Sequence, residues 1–543
     1  MKKLLAILLT LAMFATMIPV LTVGVSAEAP TYNDTWADHY DLSWITPSQT
    51  SSANTVTVGD KYYQVKGYAA ETVFEIKDAA DLAGLAYLSN MSKTSDNATH
   101  ESSNNFGTDA WFYGCVFYLT GENYDLSGHY WNPIGNCFNY RFGGQLIGSK
   151  GKTDGTGGKI TISNMVVNRL DTNANTPSGL VGAMCGGAIK NMDMVGAYIT
   201  AACSRIGSFA GQFNAGVAEN LSSNAVLKLT DPSKGGNAWD VAGGIIGCAY
   251  GYKDMSITNC HFTGTIDNTV AGGDVAGGIL GVSQIDMKIE NCTVTSDFIK
   301  VGVGNDGSQY ACGGIVGILR NGNDANASES RFSVTGCTVT ADLTDGKGRT
   351  GGIVGSIWAD KEVVNIADCS YTGTLTATKT PVAPIVGHTD TKLSLSDCEN
   401  NGTVENADSV TQLKFGQGTY TDGVVTSLNA QKSTLEGVKA VRVVAQVKAE
   451  ALTGAGFDFV VSYKDAETEE TVTTKVNSVE LTKAFEAIYV DGTETAAAEG
   501  YVWVAFVLNN ITADSVTISA VANATYTDST VYGTVGSATI ALA

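Results

Sequence analysis

The chain has 543 residues, of which 62 are glycine and 8 are proline, and its formal net charge is −21. This acidity excludes a nucleic-acid-binding role, because a phosphate backbone repels an acidic chain. Abundant glycine with scarce proline predicts many tight turns and excludes a collagen-like or linker-rich chain. The eleven cysteines contain no Cys-x-x-Cys pair, so zinc-ribbon and thioredoxin-like chemistry has no support.

The first 27 residues have the features of a secretory signal peptide. Lys2 and Lys3 are basic, an uncharged apolar run extends from Leu4 to Val23, and Ala27 ends a small-residue cleavage site. An uncleaved anchor is the alternative. No second long apolar stretch follows, so no other membrane span is predicted. We expect a secreted, extracellular protein that can be associated with the cell surface.

Residues 28–110 form an N-terminal region that contains one helix pattern. Asp78 is a suitable N-cap, and Asp81 lies in the first turn, where its charge suits the helix dipole. Leu82, Leu85 and Ala86 fall on one face at helical spacing. A short helix before a repeat array predicts a cap on the first unit, since terminal units need cover.

Residues 111–405 are organised by two repeated patterns. The first is a turn-forming residue followed by an apolar or sulfur side chain: Asn164-Met165, Asn191-Met192, Asn220-Leu221, Asn259-Cys260, Asn291-Cys292, Gly336-Cys337, Asp368-Cys369 and Asp397-Cys398. The second is a glycine signature that starts at residues 178, 207, 243, 277, 313, 351 and 383. Its starts lie 29 residues (178 to 207) to 38 residues (313 to 351) apart. This period predicts stacked units that share one core.

Alternating apolar residues after each pair predict strands with one buried face. Cys260, Phe262, Gly264 and Ile266 form one such series, and Cys292, Val294, Ser296 and Phe298 form the next. Asn or Gly before the strand supplies the left-handed backbone of a corner. We expect one row of stacked side chains that form a hydrogen-bonded ladder, made of Asn164, Asn191, Asn220, Asn259 and Asn291.

Five cysteines occupy the position that Met165, Met192 and Leu221 fill in earlier units. A position that accepts all three residue types is a buried apolar one. We therefore expect thiols there rather than disulfides, namely at Cys260, Cys292, Cys337, Cys369 and Cys398. The short Gly-Gly-Ile-Val-Gly run predicts a strand in a tight wall with close backbone approach.

These features together resemble the GLUG-motif family of exported bacterial, Gram-positive-like surface proteins. The resemblance covers residues 72–404 and rests on the Ala-Asp-Leu-Ala helix core, the segment from Tyr124-Asp-Leu-Ser-Gly128 to Pro133-Ile-Gly135, the Phe142-Gly-Gly144 turn and the recurring glycine and Asn-Cys units. It implies a right-handed parallel β-helix in a secreted or cell-surface setting. It implies no single activity.

The pattern changes after residue 405. Residues 406–425 are polar and predict a linker. In residues 426–543, Phe457, Phe459, Val461 and Tyr463 alternate strictly, as do the apolar residues from Val502 to Leu508. About seven short strands over this length predict a small C-terminal β-sandwich.

The sequence contains no recognisable set of catalytic residues. His39, His100, His129, His261 and His388 are scattered along the chain, and the His100-Glu101 pair lacks the second histidine of a zinc protease. There is no nucleophile elbow and no phosphate-binding loop. We therefore predict no catalytic residue, metal ligand or cofactor, and the binding residues stay unknown.

Two alternatives remain open at particular residues. Asp254, Asp286, Asp368 and Asp397 could form the carboxylate pair of a polysaccharide lyase or glycoside hydrolase on a β-helix, although the last two also fit turn positions. Tyr250, Tyr252 and Trp358 could stack on sugars or fill the core. The acidic turn 305–307 lacks the spacing of a calcium loop.

The sequence therefore predicts an all-β, exported, non-catalytic protein with an adhesin-like binding or spacer role. The predicted partners are glycans, matrix or neighbouring-cell surface proteins, with no membrane span after signal cleavage and an undetermined oligomeric state. The alternative is a polysaccharide-active enzyme on the same scaffold.

Overall fold

The computed structural model describes most of the chain after the predicted signal peptide. The described residues are 29–91, 110–136, 141–170, 176–202, 205–230, 240–250, 255–268, 275–301, 310–320, 332–345, 349–358, 364–377, 382–383, 385–389, 393–396, 398–400, 402–405, 425–435, 438–449, 457–464, 471–477, 484–485, 487–490, 493–509, 515–522 and 538–541. The signal peptide, nearly all of the linker, His100, Tyr252, Asp254, the turn at 305–307 and Asp397 lie outside them.

The N-terminal region combines two helices with a hairpin. The elements are a 3-10 helix at Trp36–Asp38, an antiparallel hairpin of Thr55–Val58 and Lys61–Gln64, and an α-helix at Ala79–Asn90. Asp78 caps the α-helix as predicted, because its carboxylate accepts hydrogen bonds from the backbone N–H groups of Ala80 and Asp81, each at 3.0 Å.

The apolar face of the α-helix is buried. Leu82, Leu85 and Leu88 are fully buried and belong to the same core cluster as Ile76 and Phe117. This continuity is what a cap on the first coil requires, and the capping role stays a prediction.

The central region is a stack of coils whose strands pair in parallel with the coils before and after. Among the described residues, the largest sheet has 23 strands: Val73–Ile76, Val116–Leu119, Asn123–Asp125, Gln145–Gly148, Ile160–Ser163, Val166–Arg169, Ala188–Val195, Tyr198–Ala201, Gly216–Ser223, Val226–Leu229, Met255–Thr258, His261–Phe262, Thr265–Asn268, Met287–Glu290, Thr293–Val301, Ser333–Thr335, Thr338–Asp345, Val364–Ala367, Ser370–Thr372, Thr374–Ala377, Leu393–Ser396, Glu399–Asn400 and Thr403–Glu405. The predicted parallel β-helix is confirmed.

Two smaller parallel sheets complete the coils. Six strands form one of them: Arg205–Gly207, Val241–Gly243, Val275–Gly277, Ala311–Gly313, Arg349–Gly351 and Val382–Ala383. Seven strands form the other: Val181–Cys185, Ala210–Asn214, Ile246–Ala249, Leu280–Ser283, Val316–Arg320, Val354–Trp358 and Val386–Thr389. The glycine signatures pair in register from Gly207 through Gly243, Gly277 and Gly313 to Gly351, as their spacing in the sequence predicts.

The glycine signature is a corner, and the prediction of a single strand there is wrong. Gly243 ends one strand, and the next strand begins at Ile246, so Gly244 and Ile245 turn the chain between them. The reason is space: a Cβ atom on Gly244 would lie 2.0 Å from the backbone oxygen of Gly278 in the next coil. The expected close backbone approach is thus present, at a bend rather than along a wall.

A second corner carries the turn residues that precede the Cys strands. Asn191, Asn220, Asn259, Asn291, Gly336 and Asp368 are in register and all have φ between 52° and 63°. Asparagine, aspartate and glycine tolerate this left-handed backbone better than other residues do. The amide of Asn220 donates to Oδ1 of Asn191 at 2.9 Å, which is one link of the predicted ladder.

Asn164 is not part of this row, so the prediction that it stacks with the other four asparagines is wrong. Its strand Val166–Arg169 pairs with Tyr198–Ala201, which places Asn164-Met165 beside Gly196-Ala197 at a different corner. Residues 149–159 separate two strands at the place where Asn191 turns, and Nδ2 of Asn191 lies 3.4 Å from the Gly148 oxygen. Both corners need a left-handed residue, so the sequence pattern is the same at each.

The cysteine row is buried as predicted. Cys260, Cys292, Cys337, Cys369 and Cys398 are buried free thiols in the main core, in register behind Met192 and Leu221. Burial and the adjoining Cys260 and Cys337 thiols raise the pKa of Cys292. The adjacent thiol of Cys369, together with burial, raises the pKa of Cys398. Thiolates are therefore disfavoured at Cys292 and Cys398 in this row of five residues, which we call the cysteine ladder.

The predicted alternation fails at Phe298. The strand Thr293–Val301 has a register shift between Ser296 and Ile299, so Ile299 enters the core in place of Phe298. Phe298 is half-buried, and the Lys300 ammonium lies 4.4 Å from the centre of its ring. One extra residue in a strand moves the following side chains to the opposite face.

The C-terminal region consists of antiparallel sheets. One has the strands Val425–Leu435, Val438–Lys448, Tyr501–Asn509 and Ala484–Phe485, and another has Thr471–Asn477, Phe457–Lys464, Ser515–Ala522 and Ala538–Ala541. Ala487–Val490 and Thr493–Ala496 form a hairpin. The packing of the sheets into a sandwich and the domain boundaries stay predictions.

The first testable prediction concerns the cysteine ladder. The five ladder thiols should resist a thiol reagent in the native protein and react only after denaturation without reductant, because their burial keeps the reagent away from the sulfur atoms. Recovery of just one or two of them after denaturation would mean that they are paired. Cys292→Ala should cost about 1 kcal/mol or more as a cavity, and Cys292→Val should cost less.

The second prediction concerns the glycine corner. In Gly278→Ala the new methyl group would lie 2.2 Å from the Gly314 oxygen and 2.7 Å from Cγ2 of Val294. We expect a loss of at least about 1–3 kcal/mol of stability, the usual cost of overpacking. Gly158→Ala is the matched control, since no heavy atom lies within 4 Å of its added Cβ. Equal denaturation midpoints for the two variants would contradict the corner analysis.

The third prediction concerns the C-terminal region. Its sheets are built from strands of residues 425–541 alone. A fragment of residues 425–543 should therefore unfold cooperatively when expressed by itself, as measured by circular dichroism during heating. A fragment without a cooperative transition would place the domain boundary elsewhere.

Candidate functional site

One face of the β-helix exposes an ordered array of hydroxyl groups. In the strands that follow the Asn corner, Thr293 pairs with Thr338 and Thr338 with Ser370, while Thr295 pairs with Thr340 and Thr340 with Thr372. Thr263 precedes Thr295 by one coil, since it follows Phe262, the partner of Val294. We call this array the hydroxyl face; its members are Thr263, Thr293, Thr295, Thr338, Thr340, Ser370 and Thr372.

The core behind the hydroxyl face fixes its geometry. The side chains between its columns, Val294, Val339 and Tyr371, are fully buried, so the threonines on either side of them point outward. Thr263, Thr295, Thr340 and Thr372 are all exposed. Successive residues along a column belong to paired strands, whose backbones lie about 4.8 Å apart. Ser370 donates to Oγ1 of Thr338 at 3.3 Å, so the hydroxyls also contact each other.

A second group of polar side chains converges at the N-terminal region. Asp34 Oδ2 lies 3.0 Å from Nε2 of His39, and Asp34 Oδ1 lies 2.5 Å from Nδ1 of His129. The two imidazole rings stack with their centres 3.7 Å apart. The edge of the Trp36 ring system meets both rings at nearly a right angle. Hydrogen bonds from His129 and His39 hold the pKa of Asp34 below its ordinary value, so this carboxylate is charged at neutral pH.

Backbone contacts hold this N-terminal cluster of Asp34, Trp36, His39 and His129 in place. Trp36 N–H donates to the Tyr130 oxygen at 2.9 Å, and Tyr130 N–H donates to the Asp34 oxygen at 3.0 Å. The indole N–H of Trp36 donates to the Leu126 oxygen at 3.0 Å. The expectation that the histidines are scattered is therefore wrong for His39 and His129. His39 and His129 are far apart in the sequence, and they come into contact only because the N-terminal segment packs against the turn that contains His129.

A cleft of about 230 Å³ lies beside this cluster and shares Trp36 with it. Tyr87, Asn90, Asn132 and Asn136 also line the cleft. The amide of Asn90 is held in place, because it donates to the Pro133 oxygen and accepts from the Asn136 N–H. The cleft therefore offers aromatic and amide surface within reach of the cluster.

The structure does not bring the suggested carboxylates together in its described part. Asp368 is an exposed left-handed corner residue, as the turn interpretation predicts. Asp286 is half-buried at the start of the strand Met287–Glu290, where its backbone oxygen accepts from Met255. Asp368 therefore belongs to the Asn corner, whereas Asp286 precedes a strand elsewhere in its coil. Asp254 and Asp397 lie outside the described residues.

Two of the three suggested aromatic residues border a separate apolar cluster. Val241, Cys248, Val275, Val282, Ala311 and Ile318 form this cluster apart from the main core, and Tyr250 and Trp358 pack against it. The Arg349 guanidinium lies 5.2 Å from the centre of the Trp358 ring. Tyr250 and Trp358 thus support packing at the glycine corner, which favours the core-filling alternative over sugar stacking for these two residues.

Comparisons with known proteins identify the class of the repeat. Residues 241–267 match the family model of the GLUG motif. The match begins with the strand Val241–Gly243 and ends within Thr265–Asn268, so it contains the glycine corner, the left-handed Asn259 and the strand after Cys260. The protein therefore contains a parallel β-helix with a GLUG motif. No curated protein and no solved structure matches the chain.

The helices in the described part of the chain were also compared with the requirements of a membrane span. None of them is both long enough and apolar enough to cross a bilayer.

Proposed function

We propose that the protein is an exported, non-catalytic surface protein whose β-helix binds glycans through the hydroxyl face. The observation that carries this proposal is the register of the exposed threonines, which repeats one pair of hydroxyls in successive coils. A polymer of repeating sugars presents hydroxyls at regular intervals, and a rigid array can bond to several of them with little loss of side-chain freedom.

The chemistry of the face favours a neutral glycan. Its members are uncharged hydroxyls, and the chain as a whole carries −21. An acidic polysaccharide would be repelled by that charge, whereas a neutral one would not. Threonine also suits an exposed strand for its β-propensity alone. A test of the hydroxyls must therefore use a substitution that removes the hydroxyl group and keeps the β-propensity of the residue.

The test compares two sets of Thr→Val changes in the chain from residue 28 to 543. Thr263, Thr295, Thr340 and Thr372 are changed together in one variant, and Thr258 and Thr335, on the neighbouring strands of the same coils, are changed in the control. Binding to a neutral glycan array and to insoluble polysaccharides should fall at least tenfold in the first variant only, since each lost hydrogen bond is worth about 0.5–1.5 kcal/mol.

Three outcomes would overturn the proposal. Equal glycan binding by both variants would show that the hydroxyl face is not the binding surface. Binding to matrix or cell-surface proteins that carry no glycan would show that the ligand is a protein. Cleavage of a polysaccharide that depends on an Asp or Glu pair would favour the enzyme alternative. Matching circular dichroism spectra would show that both variants are folded.

A further inference from the structure

The N-terminal cluster has the composition and geometry of a transition-metal site. Two imidazoles and one carboxylate each offer a ligand atom, and these three atoms lie within 4.8 Å of one another. We propose that Asp34, His39 and His129 bind a divalent transition-metal ion of the zinc class, and that this ion fastens the N-terminal segment to the first coils.

The distances fit an ion of this class. A tetrahedral Zn²⁺ with bonds of about 2.0–2.1 Å keeps neighbouring ligand atoms about 3.3 Å apart. Nε2 of His39 lies 3.0 Å from Oδ2 of Asp34, which is close to this value, and Nδ1 of His129 lies 2.5 Å from the other carboxylate oxygen, Oδ1. One of these oxygens would become the ligand after a small rotation of the carboxylate. Such a change is within the reach of side-chain rotation, because Asp34 is 42% exposed and His129 is 25% exposed.

The ligand types select the kind of metal. Imidazole suits Zn²⁺, Cu²⁺, Ni²⁺ and Fe²⁺, whereas Ca²⁺ and Mg²⁺ prefer oxygen ligands. The cluster provides one carboxylate among the described residues, so it suits the first group. Three protein ligands leave a fourth position for water or for a group from the adjoining cleft, which shares Trp36 with the cluster.

The position of the ligands in the chain determines what the metal would do. Asp34 and His39 flank the 3-10 helix Trp36–Asp38, while His129 belongs to the turn after Asn123–Asp125 in an early coil. An ion held by all three would cross-link segments about 90 residues apart in sequence, as the 95-residue separation of Asp34 and His129 shows. Such a link stabilises the docked segment by the free energy of metal binding.

The test uses the chain from residue 28 to 543 without an affinity tag, first stripped with a chelator. Titration with Co²⁺, whose visible spectrum reports imidazole coordination, and with Zn²⁺ by calorimetry should give one site per chain. The His39→Gln, His129→Gln and Asp34→Asn variants should each bind at least tenfold more weakly, and His261→Gln, on a later coil, should bind like the native chain.

A second measurement on the native chain covers the case in which a variant fails to fold. Zn²⁺ should protect His39 and His129, and not His261, from an acylating reagent for imidazole, as mapped by mass spectrometry. It should also raise the melting temperature of the native chain. The proposal is overturned if no ion of this class binds, if the ligand variants bind like the native chain, or if Zn²⁺ protects neither histidine.

Discussion

The contact on which the β-helix depends is the close approach of backbones at the glycine corner. A Cβ on Gly244, Gly278 or Gly314 would lie only 2.0–2.2 Å from a backbone oxygen of the next coil. Because no side chain intervenes, the residue after each glycine hydrogen-bonds along the stack, from Ile245 to Ile279 and from Ile279 to Ile315. The corner therefore combines tight stacking with a row of buried isoleucines, and it fixes the register of each coil on its neighbours.

That fixed register explains why side chains form columns on both faces of the strands. Inside, it places the cysteines in one buried row. Outside, it places threonines at directly paired positions on the strands of successive coils. A slip of one residue would exchange the two faces and would put hydroxyls into the core. The inner row and the hydroxyl face are thus two consequences of one alignment, and the left-handed corner at Asn259 and Asn291 sets where that alignment begins.

The sequence predicted the repeating features well, because the same residue types recur at the same structural positions in successive coils. The period of the glycine signature, the left-handed corners and the burial of the cysteine row all follow from recurrence. The errors occur where recurrence is ambiguous or broken. Asn164 satisfies the same backbone requirement at another corner, and the shift before Ile299 changes which residue enters the core without changing composition.

The candidate sites were harder to predict for a related reason. Threonine on an exposed strand position is explained by β-propensity alone, so its alignment across coils becomes visible only when the register is known. The contact between His39 and His129 depends on where a non-repetitive segment docks, and no period in the sequence encodes that position. The signal that could have revealed it is weak: the pattern Asp-x-x-x-x-His at residues 34–39, beside a turn that contains Trp36.

The end of the stack is where such an arrangement has most effect. The stability of a repeat array is approximately the sum of contacts between neighbours, so a terminal coil has fewer of them and opens more readily than an internal one. It also leaves strand edges that other chains could pair with. Here the segment around Trp36 bonds to Tyr130 and Leu126, and the helix Ala79–Asn90 adds three leucines to the core. The Asp34 carboxylate adds a side-chain hydrogen bond to His129, so backbone bonds, apolar packing and this polar contact together hold the N-terminal segment. An ion bound by Asp34, His39 and His129, as we propose, would act on this terminal contact and not on the interior of the stack.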